Sequence, residues 1–379
     1  MNPRHYVLAA GGTGGHMVPA AALAAELTAR GHHVALVSDE RGVRFPGLFD
    51  DVQTHVLPAG RFTGGPIGWA RAARKMIAGR SMAIELYRGF KPAAVIGFGG
   101  YPAFPALAAA FHAKLPTIIH EQNAVLGRVN RLVAGKVSAI ATSYANVERL
   151  KPDHVAKVRL IGNPVRQSVL DLRERPYPEL DEDGIFRVLV TGGSQGASIL
   201  SEVVPDGLAL LPVHFRRRLQ VTHQARIEDI DEVRAKYAAH QIPAEIATYL
   251  PDLPERLAWA HVMIARAGAS TISELTAAGR PAILVPLPGA TDDHQTANAR
   301  EITQAGGART IPQHQFTATE LAKQMQKLGL DTLALANAAR CARSVGRPDA
   351  GRDLADLVER IDQPSLFNSD APARLQVIA

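Results

Sequence analysis

One local pattern occurs twice in this chain, and it constrains the fold more than anything else. The apolar run Tyr6-Val7-Leu8-Ala9 leads into Ala10-Gly11-Gly12-Thr13-Gly14-Gly15-His16 and then into Met17-Val18-Pro19-Ala20-Ala21-Ala22-Leu23. The same order returns 181 positions later (Gly192 against Gly11), where Phe186-Arg187-Val188-Leu189-Val190 leads into Thr191-Gly192-Gly193-Ser194-Gln195-Gly196-Ala197. Each stretch reads as a buried strand, a glycine turn and a helix start. The glycines let backbone N–H groups approach an anion, and the helix N-terminus adds about half a positive charge. His16 sits where that dipole disfavours the imidazolium, so a neutral ring beside a phosphate is predicted. Two such openings half a chain apart predict two similar nucleotide-fold domains facing each other, with the ligand cleft between them.

The length of 379 residues allows two domains, each with its own core. Aromatics make up only 5% of a chain that is 46% hydrophobic, which suits helices on doubly wound parallel sheets and predicts an α/β fold. A lone Cys341 excludes an internal disulfide and a cysteine-rich zinc site. The first strand begins almost at Met1, leaving no room for a signal peptide, and no apolar run reaches the ~20 residues of a membrane span. A cytoplasmic location is therefore predicted. The net charge of +6 fits an anionic partner. Nucleic acid is excluded, because no basic stripe interleaved with stacking aromatics is present.

Along the chain, the first helix is predicted from about Val18 to Arg30, stopped by Gly31, and His33-Val34-Ala35-Leu36-Val37 is the next strand. Asp39 after it is either a solvated strand end or the ribose ligand of a dinucleotide fold. Residues 61 to 91 carry seven basic residues (Arg61, Arg71, Arg74, Lys75, Arg80, Arg88, Lys91) against one acid, Glu85, with Ile67, Trp69, Met76, Ile77, Met82 and Ile84 at helical spacing. That segment is either a core-packing helix with a solvated basic face or an amphipathic surface for anionic lipid. The strand Ala93–Phe98 opens into Gly99-Gly100-Tyr101-Pro102 and a helix from about Phe104 to His112. Pro116–Ile119 ends in His120-Glu121-Gln122-Asn123, where open α/β sheets bind ligands. Periodicity fades from Gly162 to Gly184, a linker. The second half adds strands near 219–222, 246–247, 262–265 and 282–286. Between the last two lies Arg266-Ala267-Gly268-Ala269-Ser270-Thr271-Ile272-Ser273-Glu274, in which Thr271 and Glu274 also fit a capping box. Asp292-Asp293-His294-Gln295 follows the last strand. Asp349 to Ile361 reads as a capped helix and the remainder as frayed.

The six motifs at 11–16, 99–102, 120–123, Gly162-Asn163-Pro164-Val165-Arg166, 192–197 and 266–274, in this order, resemble the MurG family of bacterial UDP-GlcNAc:lipid I N-acetylglucosaminyltransferases over residues 5 to 360. The resemblance implies a GT-B fold with an acceptor and membrane-associating domain at 1–162 and a UDP-GlcNAc domain at 163–345. A C-terminal helix at 346–362 would pack back on the first domain, and 363–379 would be a flexible tail. It further implies inverting transfer of GlcNAc to the C4 hydroxyl of MurNAc-pentapeptide on undecaprenyl diphosphate (lipid I), forming lipid II for the cell wall. Such a chain would sit peripherally on the cytoplasmic face of the inner membrane.

By the same resemblance His16 is the first choice for the general base and Glu121 the second. Gly11, Gly12, Gly99, Gly100 and Tyr101 would face the acceptor diphosphate. The UDP-GlcNAc set would be Thr13, Gly14, Gly15, Asn123, Arg166, Ser194, Gln195, Gly196, Leu250, Ala269, Glu274 and Gln295, with Glu274 on the ribose and Leu250 reading uracil. Ile67, Trp69, Arg71, Arg74 and Lys75 would meet the membrane, and cell-wall synthesis proteins are implied as partners. No cofactor and no metal are expected, since amides at a helix start compensate the leaving diphosphate. Asp181-Glu182-Asp183 imitates a metal-binding D-x-D but lies in the linker. Three other readings compete, one of them a non-catalytic, membrane-recruited binding module. An NAD(P)-dependent oxidoreductase would use the first loop and Asp39, yet Gly12-x-Gly14-x-x-Met17 lacks the third glycine of that fingerprint. A UDP-GlcNAc epimerase would share the fold.

Overall fold

The structure is a computed structural model that describes residues 2–42, 47–60, 65–181, 183–193, 196–329 and 332–361. The chain divides into two units, residues 1–166 together with 348 onward, and residues 167–347.

The first unit is a seven-stranded sheet in the order β3-β2-β1-β4-β5-β6-β7. Its strands are β1 (His5–Ala9), β2 (His33–Ser38), β3 (Gln53–Val56), β4 (Ala94–Gly97), β5 (Thr117–Glu121), β6 (Ala139–Thr142) and β7 (Val158–Leu160), and every pairing is parallel. Side chains alternate across a strand, so β1 feeds two cores. Tyr6 and Leu8 pack with Met17, Leu23 and Leu27 of the helix Gly14–Ala29 and with Leu354, Leu357 and Val358 of the helix Ala350–Ile361. Val7 and Ala9 face the other way, towards Ala83 and Tyr87 of the helix Gly65–Phe90 and Leu107 of the helix Ala103–His112. Arg30 clamps the helix Ala350–Ile361 through Asp356 (2.6 Å) and Glu359 (2.7 Å), and His32 Nε2 meets the same Glu359 at 2.7 Å.

The second unit is a six-stranded parallel sheet in the order β10-β9-β8-β11-β12-β13. It comprises β8 (Phe186–Thr191), β9 (Leu219–Gln224), β10 (Ala244–Ala247), β11 (Val262–Ala265), β12 (Ala282–Leu284) and β13 (Ala308–Thr310). Phe186, Val188, Val190, Val221, Ile264 and Ile283 supply its core. Arg280, buried, donates to the carbonyls of Leu257, Ala278 and Gly279 at 2.7–3.3 Å. It thereby closes the C-terminal ends of the helices Leu253–Trp259 and Ala269–Ala278, where a cation also complements the helix dipole.

Both nucleotide-fold openings are present, with two differences from the sequence reading. The first helix starts at Gly14, not Val18, with Thr13 in extended backbone as its cap residue, so His16 belongs to the first helical turn. The helix Ala269–Ala278 starts two residues before Thr271, with Gly268 at the cap position. Thr271 is thus already helical, and the capping-box reading of Glu274 is overturned.

Candidate active site

In the first unit two glycine turns meet at the C-terminal ends of adjacent strands. Gly11 N–H donates to Gly99 O at 3.1 Å, and a Cβ placed on Gly11 would stand 3.0 Å from Gly100 Cα and 3.1 Å from Pro102 Cδ. Gly100, at φ +75°, would bring a Cβ to 2.9 Å from Gly11 Cα, so neither position has room for a side chain. The N–H groups of Gly12, Gly14 and Gly15 have no partner among the described residues. At the mouth of this loop Thr13 Oγ1 lies 2.8 Å from His16 Nδ1, which fixes the ring. The other nitrogen, Nε2, stands 3.1 Å from the Cβ position of Gly99, over the second glycine turn. The loop therefore gathers amide donors and a half-buried imidazole in one place.

Below it, His120 and Glu121 end β5, fully inside the protein. His120 Nε2 is 2.9 Å from Gly162 O, a carbonyl that can only accept, so Nε2 carries the hydrogen and Nδ1 accepts from Gln122 Nε2 at 2.9 Å. Burial pushes its pKa down to about 4, and the nearby His16 adds to the effect. Glu121 is pulled upward by burial, against four donors: Gly127 N–H and Asn130 Nδ2 on one oxygen at 2.8 Å, Asn123 N–H at 3.1 Å and Nδ2 at 3.3 Å on the other. Sequence reasoning missed Asn130, since an asparagine in a short helix carries no motif. The carboxylate thus ties the loop 122–127 and Asn130 to the strand end.

Asp39 is committed elsewhere. Its oxygens accept from Gly42 N–H (3.1 Å), from Arg41 (3.0 and 3.1 Å) and from Tyr101 Oη (3.1 Å), and Arg41 also reaches Tyr101 Oη at 2.6 Å. Burial works to raise its pKa, but Arg41, Gly42 and Tyr101 together hold it below the ordinary value. A Cβ on Gly12 would meet Asp39 Oδ1. Asp39 therefore braces the glycine loop and carries Tyr101 rather than waiting for a ribose.

In the second unit Thr191 Oγ1 bonds Gln224 Oε1 and receives Gly193 N–H at 3.1 Å, shaping the loop that precedes the helix Ser198–Ala209. Ser194 and Gln195 lie outside the described residues, as do Arg61, Glu182 and the tail from 362. Across the sheet, Gln295 Oε1 accepts Ala267 N–H (3.1 Å) and Leu287 N–H (2.9 Å), pinning two strand-end loops and leaving its NH2 group as the donor end. Ala269 and Glu274 are buried in the helix that follows β11, and Leu250 is buried three residues beyond β10. Arg266, also buried, donates to Val285 O, Pro286 O and Gln313 Oε1, and desolvation lowers its pKa. Asn123 and Arg166 belong to the first unit, with Thr13, Gly14 and Gly15. Among the described residues no group of three His, Cys, Asp or Glu side chains could hold a metal ion.

His223 lies in the second core with its pKa pushed down to about 3 by burial and Tyr237 Oη 2.9 Å from Nδ1. Both buried histidines protonate in the unfolded chain near 6.5 but not in the folded one. Their contribution is complete above pH 6.5 and is lost as pH falls towards 4 and 3, by up to ~1.4 kcal/mol per pH unit for each. Glu121, shifted upward by burial, opposes this as pH falls through its own titration, where the folded chain takes up its proton before the unfolded one. Thermal unfolding followed from pH 8 to pH 5 should show a falling midpoint, and His223→Gln should flatten that slope for the second unit. A slope unchanged in the variant would contradict the assignment.

Residues 6–142 match the glycosyltransferase family 28 N-terminal domain and residues 187–358 match the C-terminal domain of the same family. A Zymomonas mobilis protein named UDP-N-acetylglucosamine--N-acetylmuramyl-(pentapeptide) pyrophosphoryl-undecaprenol N-acetylglucosamine transferase is 65% identical over 94% of this chain and 92% of its own length. The crystal structure of Acinetobacter baumannii MurG superimposes with a TM-score of 0.77 at 29% identity, covering 94% of this chain and 100% of that one.

The chain belongs to glycosyltransferase family 28, in its MurG branch.

Membership accounts for both glycine-loop domains at once, which the oxidoreductase reading left unexplained, and the bound state of Asp39 removes that reading's ribose ligand. A Listeria monocytogenes structure titled putative UDP-N-acetylglucosamine 2-epimerase also superimposes, with a TM-score of 0.68 over 99% of this chain and 100% of that one. At 14% identity this likeness speaks to the fold alone.

Proposed function

We propose that this chain transfers GlcNAc from UDP-GlcNAc to the C4 hydroxyl of the MurNAc-pentapeptide of lipid I, inverting the anomeric centre and forming lipid II. The observation that carries this reading is 65% identity, over 94% of the chain, to a transferase of that name. Chemically, His16 Nε2 takes the C4 hydroxyl proton, the oxygen attacks the anomeric carbon, and the bond to the diphosphate breaks with its electron pair leaving on UDP. Nδ1–H donates to Thr13 Oγ1 in this arrangement, which leaves Nε2 as the basic nitrogen. Glu121, its oxygens taken by four donors, supports the loop carrying Asn123 instead of serving as a second base. The free amides of Gly12, Gly14 and Gly15, with Gly11, Gly99, Gly100 and Tyr101, form the acceptor diphosphate side. In the second unit Glu274 takes the ribose hydroxyls, Leu250 the uracil, and the Gln295 NH2 group the sugar hydroxyls. Gly196, with Ser194 and Gln195, meets the donor phosphates at the helix start, and Ala269 lines the same pocket. UDP release that requires the lipid acceptor would support transfer; UDP release with donor alone, or epimerised sugar, would count against it.

The acceptor's lipid calls for a membrane-facing surface, and the helix Gly65–Phe90 suits it. Its buried stripe consists of Ala72, Gly79, Ala83 and Tyr87, while Ile67, Trp69, Ile77 and Met82 are 78%, 59%, 66% and 49% exposed among Arg71, Arg74 and Lys75. A helix that buries alanines and exposes its large apolar residues beside cations fits an anionic lipid surface on the cytoplasmic face. No described helix is long and apolar enough to cross a membrane. Reversing the charge of Arg71, Arg74 and Lys75 to Glu should lower partitioning onto anionic vesicles by at least about 100-fold, at roughly 1 kcal/mol per charge removed. UDP-GlcNAc affinity should stay unchanged, and vesicle binding equal to the parent's would remove this helix from membrane contact.

A further inference from the structure

Arg226 lies two residues beyond β9, the strand that pairs with β8, and its side chain lies against Gly196, just before the helix that follows β8. Its Cγ occupies the place where a Cβ on Gly196 would stand, 2.5 Å away, so a residue with a side chain at 196 would displace it; φ +68° there also favours glycine. From that position Nη1 reaches Ser198 Oγ, in the first turn of the helix Ser198–Ala209, at 3.3 Å. The second nitrogen, Nη2, pairs with Glu228 Oε1 at 2.6 Å. The backbone on either side is fixed, since Ala225 N–H bonds Ala247 O and Asp229 N–H bonds Arg226 O, both at 3.0 Å.

We propose that Arg226 is a diphosphate-binding residue of the nucleotide-sugar site and that Glu228 is its internal stand-in anion, exchanged for the ligand's phosphates on binding. The inference rests on the donor-site reading of the loop 192–197 and adds a cation to it. A guanidinium beside a helix start is suited to bidentate contact with phosphate oxygens, and the helix dipole attracts the same charge. Its present partner is weakly held: the two side chains are 44% and 53% exposed, and an ion pair open to water contributes little. A diphosphate carries more charge than one carboxylate and meets more donors, so exchange is favoured. Glu228 keeps the guanidinium beside the helix start until then.

The test is a titration of uridine, UMP and UDP against the full chain and its variants at fixed ionic strength. Arg226→Gln should weaken UDP binding by roughly 10- to 100-fold, the range of a charge-assisted contact, and leave uridine binding alone. Arg226→Lys should fall between, because a point charge replaces the planar fork. Glu228→Gln should tighten UDP severalfold, and this gain should vanish when Arg226→Gln is also present. Parental UDP affinity in Arg226→Gln, or equal losses for uridine and UDP in both Arg226 variants, would overturn the proposal. Failure of the parent chain itself to bind UDP would instead overturn the donor-site reading beneath it. The conservative lysine variant, checked by its unfolding midpoint, separates a folding defect from a binding one.

Discussion

His16→Ala is expected to lower turnover by roughly 10²- to 10⁴-fold, the usual contribution of a positioned general base, while UDP-GlcNAc affinity stays near the parent's. The imidazole stands at the mouth of the glycine loop, in the first turn of the helix Gly14–Ala29. It is half-buried, held through Nδ1 by Thr13 at 2.8 Å, and it presents Nε2 above Gly99. Thr13→Val should then lower turnover by a smaller factor, since it removes the hydrogen-bond partner that orients the ring through Nδ1. Turnover unchanged in His16→Ala would take the residue out of the chemistry. A large loss of donor affinity would make it a binding residue.

Glu274→Ala is expected to weaken UDP-GlcNAc by about 100-fold or more, because each hydrogen bond from a ribose hydroxyl to a carboxylate contributes roughly 1.5–3 kcal/mol. Glu274 is buried at 6% exposure within the helix Ala269–Ala278, beyond the cap residue Gly268. The comparison that isolates its role uses a donor lacking the ribose 2′ hydroxyl. Such a donor should bind the parent more weakly than UDP-GlcNAc, yet the two should bind Glu274→Ala about equally. Equal relative losses in parent and variant would mean that the carboxylate does not touch the ribose.

The features legible in the sequence are those written in local patterns. The two glycine turns, the apolar strands that precede them and the alternation of strands with helices gave both parallel sheets. Gly14 and Gly15 hid the true start of the first helix, because glycine is a poor helix former by about 1 kcal/mol and reads as turn. Gln53–Val56, polar along its length, and Ala139–Thr142, short and rich in alanine, carry too little apolar periodicity to be read as strands, although each takes a place in the first sheet. The site was legible where a motif names it and illegible where a tertiary contact makes it. Glu121 and His120 stand together in sequence, but only the fold shows one tied by four donors and the other kept neutral by burial. Asp39 could not be told from a ribose ligand until Arg41 and Tyr101 were seen on it. Arg226 has no motif at all: it reaches Gly196 from the end of the neighbouring strand, 30 residues on in sequence (226 against 196).

Labelled sugar followed from UDP-GlcNAc into lipid separates transfer from hydrolysis and from epimerisation. Incubated with lipid I in anionic vesicles, the chain should move the label into a lipid product in proportion to the UDP released, with the new glycosidic bond in the configuration opposite to that of the donor. UDP released without label in the lipid, or a product that retains the donor's configuration, would contradict the account.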